Sequence, residues 1–94
     1  MDLQDKVTII TGGSGGLGMA AAKAFLAKGA RVAVFDLQEG EAKALAEAHA
    51  GKVKYYETNV TSEENVATNI NQVVADFGAI DVCINCAGFG PSAK

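Results

Sequence analysis

The stretch "TGGSGGLG", residues 11–18, holds five glycines in eight positions. It lies between a β-branched run, "KVTIIT" (6–11), and an alanine-rich segment. Glycine at this density costs conformational entropy, and it is retained where the backbone must turn tightly or be approached closely. A turn leading from a strand into a helix exposes the first amide N–H groups of that helix, and these together with the macrodipole favour an anion. No lysine follows in G-K-[ST] form, so this is not a Walker loop. Two fingerprints fit. Gly13, Gly15 and Gly18 satisfy G-x-G-x-x-G, and Gly12, Gly16 and Gly18 satisfy G-x-x-x-G-x-G. By itself either register is also compatible with a glycine-rich turn that binds nothing.

The rest of the chain alternates strand-like and helical patterns. "RVAVFD" (31–36), "VKYYET" (53–58) and "IDVCIN" (80–85) follow the first apolar run. Between the strands, residues 17–28 align Leu17, Ala21, Ala24, Phe25 and Lys28. Residues 39–50 align Ala42, Leu45, Ala46 and His49, and residues 62–77 align Val66, Ile70, Val73, Val74 and Phe77. These are helical spacings. Gly29, Gly51 and Gly78 each follow a helical stretch, where a left-handed residue ends the helix. Thr61 and Glu64 make a capping box for the third helix. The order β-α-β-α-β-α-β predicts an α/β fold, a Rossmann-like doubly wound parallel sheet. Strands buried on both faces lose their polar alternation, as these do. The last strand has an apolar outer edge, which needs a cover from more of the same polypeptide, a second chain or a symmetry mate. "FGPSAK" (89–94) reads as loop.

With 94 residues the chain has the length of one small domain or a piece of a larger one. A net charge of −3 with no basic cluster does not indicate a nucleic-acid partner. No apolar run is long enough to span a bilayer, and "MDLQDK" lacks the pattern of a signal peptide, so a cytoplasmic location is expected. Cys83 and Cys86 form C-x-x-C. A redox pair needs its first thiol at a helix N-terminus, whereas these lie in a strand pattern and read as small apolar residues of a buried strand.

Asp36 ends the second strand, eighteen residues after Gly18. A carboxylate there can accept from both hydroxyls of an adenosine ribose and would repel a 2′-phosphate. Neither Gly15 nor Leu37, beside it, supplies a cation. The cofactor expected is therefore NAD rather than NADP. The alternative for Asp36 is an ordinary N-cap of the following helix. A methyltransferase shares the loop and the acid.

Thr11 before Gly12, "NV" at 59–60 and "NCAG" at 85–88 complete a pattern that resembles the short-chain dehydrogenase/reductase family over the whole chain. The resemblance favours the register Gly12, Gly16, Gly18 and argues against a methyltransferase. It implies that Ser14, Gly15, Gly16 and Leu17 approach the ribose and pyrophosphate, and that Asp36 selects NAD. It implies further that Asn59 and Val60 meet the adenine, and that Cys86, Ala87 and Gly88 pass beside the cofactor ribose. The family usually carries Asp-Val where this chain has Asn59-Val60. The aspartate accepts from the adenine amino group, and the Asn59 carbonyl oxygen can still accept without the charge. "NVTSEENV" with "NCAG" is similar to the type II 3-hydroxyacyl-CoA dehydrogenase branch, which oxidises short 3-hydroxyacyl-CoA thioesters.

The family's chemistry rests on a serine and a Tyr-x-x-x-Lys pair, and residues 1–94 contain no such arrangement. Tyr55 and Tyr56 are followed four residues on by Asn59 and Val60, and read as core and rim aromatics. Ser92 and Lys94 match no catalytic motif. His49 reads as half-buried near a helix C-terminus. Residues 1–94 thus read as the N-terminal portion of one NAD-binding Rossmann domain, with no catalytic residue. The parent protein would move hydride between NAD and a small secondary alcohol or ketone, with a homo-oligomer expected. The second reading is a stand-alone nucleotide-binding or assembly module without catalysis.

Overall fold

The computed structural model describes residues 3–12 and 16–85. Four β-branched or apolar runs form one parallel sheet: β1 (Val7–Thr11), β2 (Arg31–Asp36), β3 (Val53–Glu57) and β4 (Val82–Asn85). The connecting helices are α1 (Gly16–Ala27), α2 (Ala42–Ala48) and α3 (Glu63–Phe77). The strands lie in the order β3-β2-β1-β4, every neighbour parallel. The chain moves outward from β1 to β3 and then returns to the other side of β1. This reversal makes a switch point between β1 and β4, the kind of place where open α/β sheets hold ligands.

The expected doubly wound arrangement is explained by which residues each face buries. Ile10, Val32, Val34 and Val53 pack with Met19, Ala22, Ala42 and Leu45 beneath α1 and α2. Val7, Ile9, Ala33, Phe35 and Tyr56 pack with Val73 beneath α3. Alternate residues of β1 and β2 thus serve opposite layers, and both strands read as continuous apolar runs. Phe35 and Tyr56 meet edge to face, their ring centroids 5.6 Å apart at 65°. The thin core closes on Arg31, whose side chain donates from Nε and Nη2 to Asp5 O (3.2 and 3.0 Å) and from Nη1 to Phe77 O (3.1 Å).

Four local expectations are corrected. First, α1 buries Gly18, Met19 and Ala22, while Leu17, Ala24 and Lys28 face outward. The small Gly18 and Ala22 let this helix lie close to the sheet, which turns the expected stripe by one position. Second, α2 starts at Ala42 rather than near 39, because Gly40 takes φ +50° and Glu41 supplies no capping bond. Third, His49 is exposed: the backbone leaves helical geometry there (φ −126°, ψ 55°) and carries the ring outward. Fourth, α3 is capped by Ser62, whose Oγ accepts from Asn65 N–H at 3.2 Å, and not by Thr61.

β4 is less enclosed than β1 and β2. Val82 and Ile84 are half-buried and Cys83 is exposed, so the reading of this segment as a buried strand does not hold among the described residues. Its only described neighbour is β1. The opposite edge, β3, carries exposed Lys54 and Glu57, charges that discourage edge pairing.

Candidate functional site

The carboxyl ends of β1, β2 and β3 bring most of the described candidate residues together. β1 ends at Thr11, paired in register with Asn85 of β4 and Phe35 of β2. The Thr11 hydroxyl donates to Ile84 O at 3.4 Å, tying the two sides of the switch point. Gly12 follows at φ +71°, a conformation that side chains disfavour. Its N–H donates to Phe35 O at 2.7 Å, so the glycine turn starts against the residue before Asp36. Gly16 then opens α1. A Cβ placed on Gly16 would meet nothing within 4 Å, so its backbone stands open to an approaching group. Leu17 is 75% exposed and Gly18 is buried. Among the described residues, Gly12 and Gly16 thus offer bare backbone at the start of a helix, with buried Gly18 just behind it.

Asp36 is half-buried at the tip of β2. Its main-chain carbonyl accepts from Thr58 N–H and from the Tyr55 hydroxyl, both at 2.8 Å. Its carboxylate accepts from Gln38 N–H at 3.4 Å. The N-cap alternative is set aside, because α2 begins six residues later with Glu41 in that position. Tyr55 was not singled out as a site residue from sequence, yet it anchors the acid's backbone. Burial pushes its hydroxyl pKa up, and so do the nearby carboxylates Glu57, Asp36 and Glu39. The surroundings of Asp36 are therefore electronegative. Tyr56 lies on the other face. It donates to Asp76 Oδ2 at 2.7 Å, and burial together with that bond holds its phenol well above the ordinary range.

Asn59 follows the tip of β3. Its Oδ1 accepts from Thr61 N–H (3.0 Å) and from the Thr61 hydroxyl (2.6 Å). Its own N–H donates to Asn65 Oδ1 at 2.6 Å. The expectation that this carbonyl oxygen remains available as an acceptor is therefore corrected, since both lone pairs are in use. The Asn59-x-Thr61 spacing of an Asx turn is the sequence signal that would have revealed it. Val60 beside it is half-buried.

Ser14, Gly15, Cys86, Ala87 and Gly88 lie outside the described residues, as do Ser92 and Lys94. Cys83 is exposed, but partial desolvation of its thiol still pushes the pKa up, the opposite of what a redox-active thiolate needs. Among the described residues no group of three His, Cys, Asp or Glu converges as a metal site. No described helix is long and apolar enough to cross a membrane. A recess lined by Arg31, Val53, Lys54, Asp76 and Phe77 lies far from the glycine turn, and its charged groups engage one another or the backbone.

Residues 6–94 match the family model described as short chain dehydrogenase. A sorbose reductase of Candida albicans is 43% identical over 89 residues, covering 92% of this chain and 32% of its own length. Tropinone reductase-like 1 of Erythroxylum coca is 38% identical over 86 residues, covering 92% and 32%. The human 3-hydroxyacyl-CoA dehydrogenase type-2 is 35% identical over 88 residues, covering 94% and 34%. The chain thus spans about a third of the length of the curated relatives it matches. The crystal structure of a short chain dehydrogenase from Bacillus anthracis superposes with a TM-score of 0.83 at 30% identity, over 93% of this chain and 36% of that one. A parallel sheet with its switch point at β1/β4, a glycine turn pinned beside an acid and a family match over nearly every residue agree: this chain belongs to the short-chain dehydrogenase/reductase family.

Proposed function

We propose that this chain supplies the NAD-binding part of an oxidoreductase that acts on a small secondary alcohol or ketone. The observation that carries the reading is the Gly12 N–H bond to Phe35 O, which sets the glycine turn next to Asp36. In this reading Gly12, Ser14, Gly15, Gly16, Leu17 and Gly18 form the pyrophosphate cradle. Asp36 grips the adenosine ribose through its two hydroxyls. Asn59 and Val60 border the base, and Cys86, Ala87 and Gly88 run beside the second ribose. NAD, when bound, supplies the hydride acceptor.

Two features support NAD over NADP. A carboxylate at the end of β2, as Asp36 supplies, would accept from ribose hydroxyls, and Glu39 and Glu57 add negative charge around Tyr55 beside it. A 2′-phosphate would enter a field of its own sign. Residues 1–94 hold no Tyr-x-x-x-Lys arrangement, so the reading assigns them cofactor binding and no acid–base role. The rat and human relatives named 3-hydroxyacyl-CoA dehydrogenase type-2 support a 3-hydroxyacyl-CoA thioester as the substrate class. A homo-oligomer and a cytoplasmic location complete the proposal.

Calorimetric titration of the intact protein with NAD, NADP and S-adenosylmethionine tests it. NAD is expected to bind at least about tenfold more tightly than NADP, the discrimination of one charged contact. Preference for NADP would reverse the assignment of Asp36. Preference for S-adenosylmethionine would remove the oxidoreductase reading.

A further inference from the structure

Asp36 stands between two peptide planes that neighbouring segments hold. Ahead of it, the Phe35 carbonyl accepts from Gly12 N–H at 2.7 Å. Behind it, the Asp36 carbonyl accepts from Thr58 N–H and from the Tyr55 hydroxyl, both at 2.8 Å. A carbonyl oxygen has two lone pairs, so this one is saturated. Each peptide unit is planar, so holding the carbonyls on both sides of an α-carbon fixes the direction in which its side chain leaves. The aim of the Asp36 carboxylate is therefore set by bonds to the backbone around it.

Two of these donors, Gly12 N–H and Thr58 N–H, are main-chain groups that any residue but proline supplies. The third is a side chain. Tyr55 lies opposite Val34 in the register of β2 and β3, on the face that carries Val32 and Val34 into the core beneath α1 and α2. Asp36 is the next residue of β2 on that face, since side chains alternate along a strand. The Tyr55 ring packs against the same core, and its hydroxyl reaches along β2 to the Asp36 carbonyl. Burial first, and then the carboxylates of Glu57, Asp36 and Glu39, push the phenol pKa above its ordinary value, so the hydroxyl keeps the proton that it donates.

We infer that Tyr55 is a positioning residue for the dinucleotide: by holding the Asp36 carbonyl it aims the Asp36 carboxylate at the ribose hydroxyls, and so strengthens the preference for NAD over NADP. This rests on the NAD reading above. Hydrogen bonds to two hydroxyls depend on direction, whereas repulsion of a 2′-phosphate depends mainly on distance. Loosening the acid therefore weakens NAD and leaves NADP almost as it was.

The test is a cycle of Tyr55→Phe, Asp36→Ala and the double variant, each made in the intact protein and titrated with NAD and NADP by calorimetry. Phenylalanine keeps the ring in the core and removes only the hydroxyl. Tyr55→Phe is expected to raise the Kd for NAD about threefold, part of the worth of one neutral hydrogen bond, and to lower the preference for NAD over NADP by the same factor. In the Asp36→Ala background the same substitution is expected to change neither Kd. A Tyr55→Phe protein with its preference unchanged, whether or not its unfolding midpoint falls, overturns the positioning role and leaves the NAD reading standing. An equal loss of NAD affinity in the Asp36→Ala background overturns it as well, because Tyr55 would then act without the acid. Failure of the wild-type protein to bind either dinucleotide overturns both readings.

Discussion

The two ends of the sheet are built from similar backbone but treat their polar groups differently. At the amino end the chain consumes its own hydrogen-bonding capacity. Arg31 bonds the carbonyls of Asp5 and Phe77 and lies 5.6 Å from the centre of the Phe77 ring. Val7 N–H donates to Asp81 Oδ2 at 2.9 Å, and Asp81 N–H returns a bond to Val7 O at 2.8 Å. At the carboxyl end the backbone is held by carbonyls that face into the fold, Phe35 O and Asp36 O. Around them stand an open Gly16 and two exposed leucines, Leu17 and Leu37. One end spends its side-chain chemistry on stability, and the other is held mainly through main-chain carbonyls; in the reading proposed above, that second end meets the cofactor.

Asp36→Ala gives the sharpest view of that division. Loss of two charge-assisted hydrogen bonds to a ribose is expected to weaken NAD by about 3 kcal/mol, roughly a hundredfold in Kd. The thermal midpoint is expected to move little, because Tyr55 and Thr58 bond the main-chain carbonyl, which survives the substitution. Calorimetry of binding and of unfolding on the same sample separates the two. A large loss of stability with unchanged affinity would invert the contrast between the two ends.

Arg31→Ala is the mirror case at the amino end. It removes bonds to two carbonyls and the contact with the Phe77 ring, and is expected to cost about 2 kcal/mol in denaturant unfolding. NAD affinity per folded molecule is expected to stay the same. A parallel fall in affinity would mean that the two ends are coupled through β2, whose termini are Arg31 and Asp36.

How much of this the amino-acid order discloses depends on whether a residue's partner is near in sequence. Gly29, Gly51 and Gly78 announce their turns because few other residues adopt φ of +86°, +87° and +92°. The strands announce themselves because both faces of β1 and β2 are buried. The face of α1 is hard to read, since in GLGMAAAKAFLA a single charged residue, Lys23, marks what points outward. The cap of α3 was displaced by one residue because Thr61 and Ser62 are both hydroxyls, and only space shows that Thr61 is committed to Asn59. Asp36 is legible as the end of a strand, but that it does not cap a helix shows only once α2 is seen to begin at Ala42. The hold of Tyr55 on Asp36 spans nineteen positions, and no local pattern encodes it.

Gly16→Ala is expected to act more gently and on one side only. The added methyl meets no protein atom within 4 Å, and alanine is the better helix former, so stability should hold or rise slightly. The same methyl would stand where the backbone is meant to approach a diphosphate. NAD is expected to bind about tenfold more weakly, the price of one strained close contact of about 1.4 kcal/mol. Undiminished NAD affinity would move the phosphate away from the start of α1.

The smallest expected effect sharpens the comparison from the flank of β3, where Asp76 accepts from Tyr56, bonds Gln72 and lies 3.2 Å from Lys54 Nζ. The bond from Tyr56 most of all, and then that from Lys54, lower the Asp76 pKa from its ordinary 3.8. A carboxylate with a lowered native pKa contributes stability that is fully present above its unfolded value. That contribution is lost as pH falls through the native value. The thermal midpoint of the wild-type protein should therefore exceed that of Asp76→Asn at neutral pH, with the gap closing as the solution is acidified through and below pH 3.8. Asparagine keeps an acceptor for Tyr56 but loses the charge facing Lys54 and the second oxygen that accepts from Gln72, so the part of the gap that varies with pH reports the charge. A gap that stays constant from neutral to strongly acidic solution would show that Asp76 contributes through packing alone. In that case the carboxylates that matter for acid stability lie elsewhere.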